Sequence, residues 1–184
     1  MPCWLADGIK TLDWLETLNA LRVEGKIDRI GVSIRDYRPE EGVELAKLGL
    51  VHSIQVVFNL FEQRPAGALF EAGASTGTGM IARVPLDSGA LTGTWSEETY
   101  SHWEDGSVPR QLFRGDRFAQ TLERVERLKT MRYILSAPEC SIVIPGMTSP
   151  AQIDMNVAYS DGSSFPEELK KSLAAHIWPR NFYK

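Results

Sequence analysis

Residues 79–93 read GMIARVPLDSGALTG. Gly79 to Arg83 are mostly apolar and alternating, as a strand with one packed face requires, and the chain then breaks into small residues around Pro85, Gly89 and Gly93. Three further runs have the same character: RIGVS (29–33), SIQVV (53–57) and CSIVI (140–144). Helical patterns lie between them. TLDWLETLNALRVEG (11–25) sets Leu12, Leu15, Leu18 and Leu21 on one face and stops at Gly25. RPEEGVELAKLG (38–49) opens with a proline and closes on a glycine, and RPAGALFEAGASTG (64–77) repeats that design. Strands alternating with helices make βα units, whose strands are parallel and whose crossovers are right-handed. The interval from 84 to 139 is the long one, and it holds the polar loop TWSEETYSHWEDGSVPRQ (94–111).

Composition narrows the class. The chain has 184 residues, 43% hydrophobic and 24% charged, with a net charge of -4, values that fit one soluble, cytoplasmic globular domain. Mild acidity offers no footprint for nucleic acid or an anionic membrane. No apolar run reaches the roughly 20 residues of a bilayer span. Cys3 and Cys140 lie far apart and read as reduced structural thiols. No nucleophile elbow, P-loop or metal-ligand spacing is present, so hydrolase and metalloenzyme classes lack support. GASTGTG (73–79) is rich in glycine, but it joins a helix to a strand and therefore reads as a plain turn. Ser149 reads as an N-cap, with Pro150 at the first helical position. A four-stranded parallel sheet needs cover on both faces and both edges, so this one calls for a further partner.

Five blocks carry a family likeness. EGKIDRIGVS (24–33), IQVVFNLFEQRP (54–65), RVPLDSGALTG (83–93), VIPGMTSPAQIDMN (143–156) and WPRNFY (178–183) resemble, in that order, successive blocks of the aldo-keto reductases. The resemblance implies an α/β fold that is a partial (βα)8 TIM barrel: strands five to eight with their helices and the C-terminal tail, one C-terminal-half domain over 1–184. It also implies NADP(H) at the C-terminal ends of the strands, with NAD(H) left open. Ser33 and Gln55 match the residues on the nicotinamide carboxamide, and Ile34 stands where an asparagine usually follows the serine. Arg83 replaces a stacking tyrosine, its guanidinium suited to lie over the ring or to reach a phosphate. Pro85, Leu86, Ser88, Gly89, Ala90, Leu91, Thr92 and Gly93 match the loop along the pyrophosphate. Gly146, Met147, Thr148, Gln152 and Asn156 match the adenosine end, where Thr148 and Gln152 lack the charge that usually meets a 2′-phosphate.

Departures from the family pattern set the remaining expectations. The tyrosine, lysine, aspartate and histidine that serve carbonyl reduction have no matching positions, so no catalytic residue is assigned. Tyr37, Lys26, His52, His102 and His176 read as surface or packing residues. In RFAQTLERVERLKTMRYILSAPE (117–139) two family helices either fuse into one rod of about 30 Å or have lost a loop between them. HIWPRNFYK (176–184) suits a tail across the barrel mouth, with Trp178, Phe182 and Tyr183 lining a substrate pocket. Three readings remain. The chain supplies the cofactor cleft of a reductase completed by a missing N-terminal half and acting on a small-molecule carbonyl, or it is an inactive half-barrel that forms a homo-oligomer or holds a dinucleotide, or it is a degenerate remnant with no activity.

Overall fold

The computed structural model describes residues 13–125 and 131–179. Its elements, in order, are α1 (Asp13–Val23), β1 (Gly31–Ser33), α2 (Glu40–Lys47), β2 (Ser53–Val57), α3 (Ala68–Thr76), β3 (Gly79–Arg83), α4 (Val108–Leu112), α5 (Arg117–Val125), α6 (Met131–Leu135), β4 (Cys140–Ile144), α7 (Pro150–Val157) and α8 (Glu167–Leu173). The strands form one parallel sheet in the order β1-β2-β3-β4. Three of the four expected runs are reproduced to the residue, and the first shortens to its last three residues. The 64–77 run differs more. A 3-10 turn over Arg64–Ala66 precedes α3, and Gly67, at φ −83° and ψ −125°, breaks the helix between them. Whether α5 and α6 are joined as a rod falls on residues 126–130, outside the described residues, as do Leu12, Phe182 and Tyr183.

Strand alternation decides what the sheet buries. Val32, Ile54, Val56, Met80 and Ala82 point to the helical side, where they pack with Leu45, Leu69, Phe70 and Ile134. Phe58 closes this core edge-on against Phe70, with ring centroids 4.9 Å apart. Leu15 is buried and Leu18 packs partly against the same core, as the α1 pattern predicts. The opposite face is covered only in part: Val57 is buried and Gln55 and Ile81 are half-buried, while Ser33 is exposed. Cross-strand register aligns Ser33 with Gln55, Gln55 with Ile81, and Ile81 with Ile142. Ile142 and Ile144 are 52% and 44% exposed, although both belong to a β-branched run.

Glycines in the 73–79 segment serve packing and turning. A Cβ on Gly73 would lie 2.2 Å from Met80 Cε and 2.9 Å from the Thr78 carbonyl oxygen, so α3 approaches β3 this closely only without a side chain. Gly77 caps α3 at φ 73°. The plain-turn reading of this segment matches that geometry.

The expected polar loop at 94–111 turns out to build a core of its own. Trp95, Tyr100 and Trp103 pack with Ala90, Leu112, Phe113 and Phe118. Trp95 meets Trp103 and Phe113 edge-on at centroid distances of 4.9 and 4.8 Å. The aromatics follow neither a helical nor a strand period, so pattern reading had no means of pairing them. No helix among the described residues is long and apolar enough to cross a membrane.

Candidate dinucleotide site at the strand ends

Because the strands are parallel, the segments that follow them gather at one end of the sheet. Ser33 closes β1, Gln55 sits beside it in β2, and the Gln55 Nε2 donates to Ser33 Oγ at 3.2 Å. The two residues expected on a carboxamide are therefore adjacent. Both lie on the face opposite the helices and present a hydroxyl and a primary amide, which together offer donors and acceptors.

Arg83 ends β3 and reaches back across β2. Its Nη2 donates to the Ile34 carbonyl at 3.2 Å and forms an ion pair with Asp36. Its Nε is buried and has no hydrogen-bond partner. Pairing with Asp36 balances its charge locally, so what Arg83 offers a ligand is the planar guanidinium face and an Nε proton.

After β3 the backbone enters an unusual stretch. Val84, Asp87 and Ser88 have φ of 55°, 47° and 58°, and Gly89 and Gly93 have 99° and 72°. Two short hydrogen-bonded turns result: Asp87 N–H donates to the Val84 carbonyl at 3.0 Å, and Gly89 N–H to the Leu86 carbonyl at 2.9 Å. Pro85, Asp87, Ala90 and Leu91 are buried, while Ser88 and Gly93 are exposed. Gly89 lies against Trp95, whose Cζ2 would be 3.2 Å from an added Cβ. The aromatic core of 94–118 thus buttresses the loop.

The loop after β2 is the best-satisfied polar region at this end. Asn59, Glu62 and Gln63 are all buried. Gln63 Nε2 donates to the Leu173 carbonyl at 3.0 Å, tying α8 to this loop. Arg64 Nε donates to Glu62 Oε1 at 2.7 Å, and that hydrogen bond raises the Arg64 pKa. Trp178 donates its backbone N–H to the Phe61 carbonyl at 3.0 Å and meets the Phe61 ring edge-on at 5.5 Å. Arg124 lies over the Trp178 ring at 4.5 Å. Trp178 therefore packs against the loop after β2, and the tail beyond residue 179, expected across the barrel mouth, lies outside the described residues.

Beyond β4, Gly146, Met147 and Thr148 are exposed and Gln152 and Asn156 half-buried. Ser149 caps α7 by accepting from Gln152 N–H at 3.4 Å. Gln152 returns the favour through Oε1, which accepts from Thr148 N–H at 2.6 Å and from the Thr148 hydroxyl at 3.1 Å. These bonds engage Thr148 and Gln152, the two neutral residues that the family resemblance sets at the adenosine end.

Two of the residues left without a role, Lys26 and His52, lie apart from this end. Lys26 pairs with Glu24 at 2.7 Å on the surface. His52 Nδ1 accepts from Ile30 N–H at 3.1 Å at the N-terminal end of β2, away from the site. Sequence reading missed Asp36 and Asn59. Asn59 had a signal, since an asparagine two and three residues ahead of amides it can bond is a turn-former.

The aldo/keto reductase family model matches residues 5–177. This chain belongs to the aldo/keto reductase family. A curated relative, the uncharacterized oxidoreductase YqkF of Bacillus subtilis (strain 168), is 25% identical over 179 residues, covering 92% of this chain and 56% of the relative. Among solved structures, the glycerol dehydrogenase AKR11B4 of Gluconobacter oxydans superposes with a TM-score of 0.71 at 22% identity, over 91% of this chain and 55% of that one. The holo form of aldo-keto reductase AKR11C1 from Bacillus halodurans gives 0.67 at 19% identity, over 96% and 61%. This aldo/keto reductase chain thus spans between half and two thirds of the length of its relatives, and its parallel α/β sheet resembles part of their barrel.

Proposed function

We propose that this chain is the cofactor-holding part of an NAD(P)H-dependent oxidoreductase that reduces a carbonyl to an alcohol, its four strands being the fifth to eighth of a (βα)8 barrel. The adjacent Ser33 and Gln55 carry the reading. They are a neutral donor-acceptor pair formed where Ser33 ends β1 beside Gln55 in the middle of β2, close to the C-terminal ends of the parallel strands, where barrel enzymes keep their sites. The fit extends to the unpartnered Nε of Arg83 and to the left-handed backbone of the 84–93 loop. In this reading Ser33 and Gln55 hold the carboxamide, and Arg83 lies over the ring. Pro85, Leu86, Ser88, Gly89, Leu91 and Gly93 follow the phosphates, and Gly146, Met147, Thr148, Gln152 and Asn156 meet the adenosine.

Bound there, the dinucleotide supplies hydride to a carbonyl carbon. This chain's contribution is to orient the carboxamide, and hence the ring face, and to exclude water with Trp178 and the 84–93 loop. The proton donor belongs to the part of the barrel not represented here. Thr148 and Gln152 are neutral and Thr148 donates to the Gln152 side chain, so they supply no cation for a 2′-phosphate and the proposal covers NADH as well as NADPH.

A second reading has its own support in the partly covered sheet face, with Ile142 and Ile144 half exposed and β1 and β4 at the sheet edges among the described residues. There the chain pairs with a copy of itself and performs no reduction. Fluorescence titration with NADPH and NADH, with solution mass taken on the same sample, tests both. Saturable binding that Gln55→Leu weakens at least tenfold supports the cofactor reading. A discrete dimer that binds neither nucleotide supports the second.

A further inference from the structure

The loop after β3 is strained where it begins, and one buried side chain is tied to that point. Val84 has φ 55°, followed by Asp87 and Ser88 at 47° and 58°. A β-branched residue in the left-handed region is an outlier, and such geometry persists only where its surroundings over-determine it. Asn59 is 0% exposed. Its Nδ2 donates to the Val84 carbonyl at 3.0 Å, while its Oδ1 accepts from the N–H groups of Phe61 at 2.9 Å and Glu62 at 3.0 Å. The Asn59 N–H donates to the Glu62 carbonyl at 3.2 Å, so the amide is fixed within its own turn. One residue earlier, Phe58 N–H donates to the Arg83 carbonyl at 3.2 Å. Two successive carbonyls at the end of β3 are thus held by two successive residues after β2, the first by backbone and the second by a side chain.

We propose that Asn59 is a positioning residue for the 85–93 loop: its side-chain amide holds Val84 in the left-handed conformation and so sets the direction in which the loop leaves β3. The Val84 carbonyl also accepts from Asp87 N–H at 3.0 Å, so the group that Asn59 grips is the one that closes the loop's first turn. Asparagine suits the task because it both accepts and donates. An aspartate of the same shape keeps the acceptor for Phe61 and Glu62 and has no proton for Val84 near neutral pH. The inference rests on the dinucleotide reading only for the identity of the loop's ligand.

Hydrogen exchange by mass spectrometry on the full chain tests it. Asn59→Ala is expected to raise exchange of the 86–91 amides about tenfold, the scale of one net hydrogen bond, while β2 and β3 keep their protection. Adding Val84→Gly, which adopts the left-handed conformation without steric cost, should recover part of that protection. A residue that merely fills the core would not be rescued this way. Asn59→Ser serves if the alanine variant does not fold, since its hydroxyl can still accept from the N–H groups of its own turn but is too short to reach the Val84 carbonyl. Unchanged loop exchange in a folded variant, an equal rise throughout β2 and β3, or no recovery with Val84→Gly would each overturn the proposal. NADPH and NADH titrations of the same proteins separate the two claims. If the unaltered chain binds neither nucleotide while loop exchange responds as expected, the dinucleotide reading falls and the role of Asn59 stands.

Discussion

Replacing Asp36 with alanine would leave Arg83 with one neutral acceptor, the Ile34 carbonyl, for all of its donors. The arginine side chain is 15% exposed and its partner 20%, so the charge is stranded in a site that water reaches only in part. Breaking a fully buried pair costs about 3–5 kcal/mol, and a charge-assisted hydrogen bond contributes about 1.5–3 kcal/mol. With some water access, a loss of about 2 kcal/mol is expected for Asp36→Ala. Arg83→Met in the same background removes the stranded charge and should restore about half of the loss, because apolar replacement of an internal pair is often nearly neutral. Urea unfolding of the four proteins of this cycle, followed by circular dichroism, measures the coupling. A loss of 2 kcal/mol should lower the midpoint by about 1 M. The coupling should survive added salt, which screens exposed pairs far more than internal ones. A coupling below about 0.5 kcal/mol, or one that salt abolishes, would mean that the pair behaves as a surface contact and that Arg83 is not anchored by Asp36.

Gly73→Ala should destabilise by about 1–3 kcal/mol despite the better helix propensity of alanine, because the new methyl meets the Thr78 carbonyl as well as the movable end of Met80; a rise in thermal midpoint would refute this. Burial pushes the Tyr133 hydroxyl up to about 12. Tyrosine in an unfolded chain ionises near 10, so the unfolded state loses its proton first, and stability should fall as pH rises from about 10 and level off above about 12. A phenolate absorbance titration should show one late component that Tyr133→Phe removes.

The sheet was legible because its strands are short β-branched runs bounded by glycine, proline and polar residues, and that local signal survives in any tertiary context. Helix α3 was misjudged at its start, since Pro65 can open a helix and nothing in RPAGAL reveals that Gly67 takes a ψ of −125°. Of the site, Ser33 and Gln55 were found by likeness and proved adjacent because the register pairs them directly. Asp36 and Asn59 were missed for a different reason. Each acts on a residue dozens of positions away, Arg83 and Val84 respectively, and no periodicity in a single sequence encodes a contact across strands. The aromatic core around Trp95 escaped in the same way, because its members are spaced irregularly within a segment that is polar on average.

The partly covered sheet face links nucleotide binding to assembly. Ser33 and Gln55 share that face with Ile142 and Ile144, so whatever covers the isoleucines also changes the surroundings of the polar pair. Fully burying an isoleucine side chain stabilises by about 1.5–3 kcal/mol, and these two are already about half covered, so cover offers up to roughly 3 kcal/mol. Cover that favours the same state as a nucleotide must be linked to it, each strengthening the other by an equal factor. If a second copy supplies the cover, nucleotide affinity should rise with protein concentration, and nucleotide should in turn raise the fraction of dimer. If a different polypeptide supplies it, affinity should be independent of the chain's own concentration and should rise only when that polypeptide is added. Titrations at two protein concentrations tenfold apart therefore distinguish self-pairing from completion by another segment, and no structural probe of the face itself is needed.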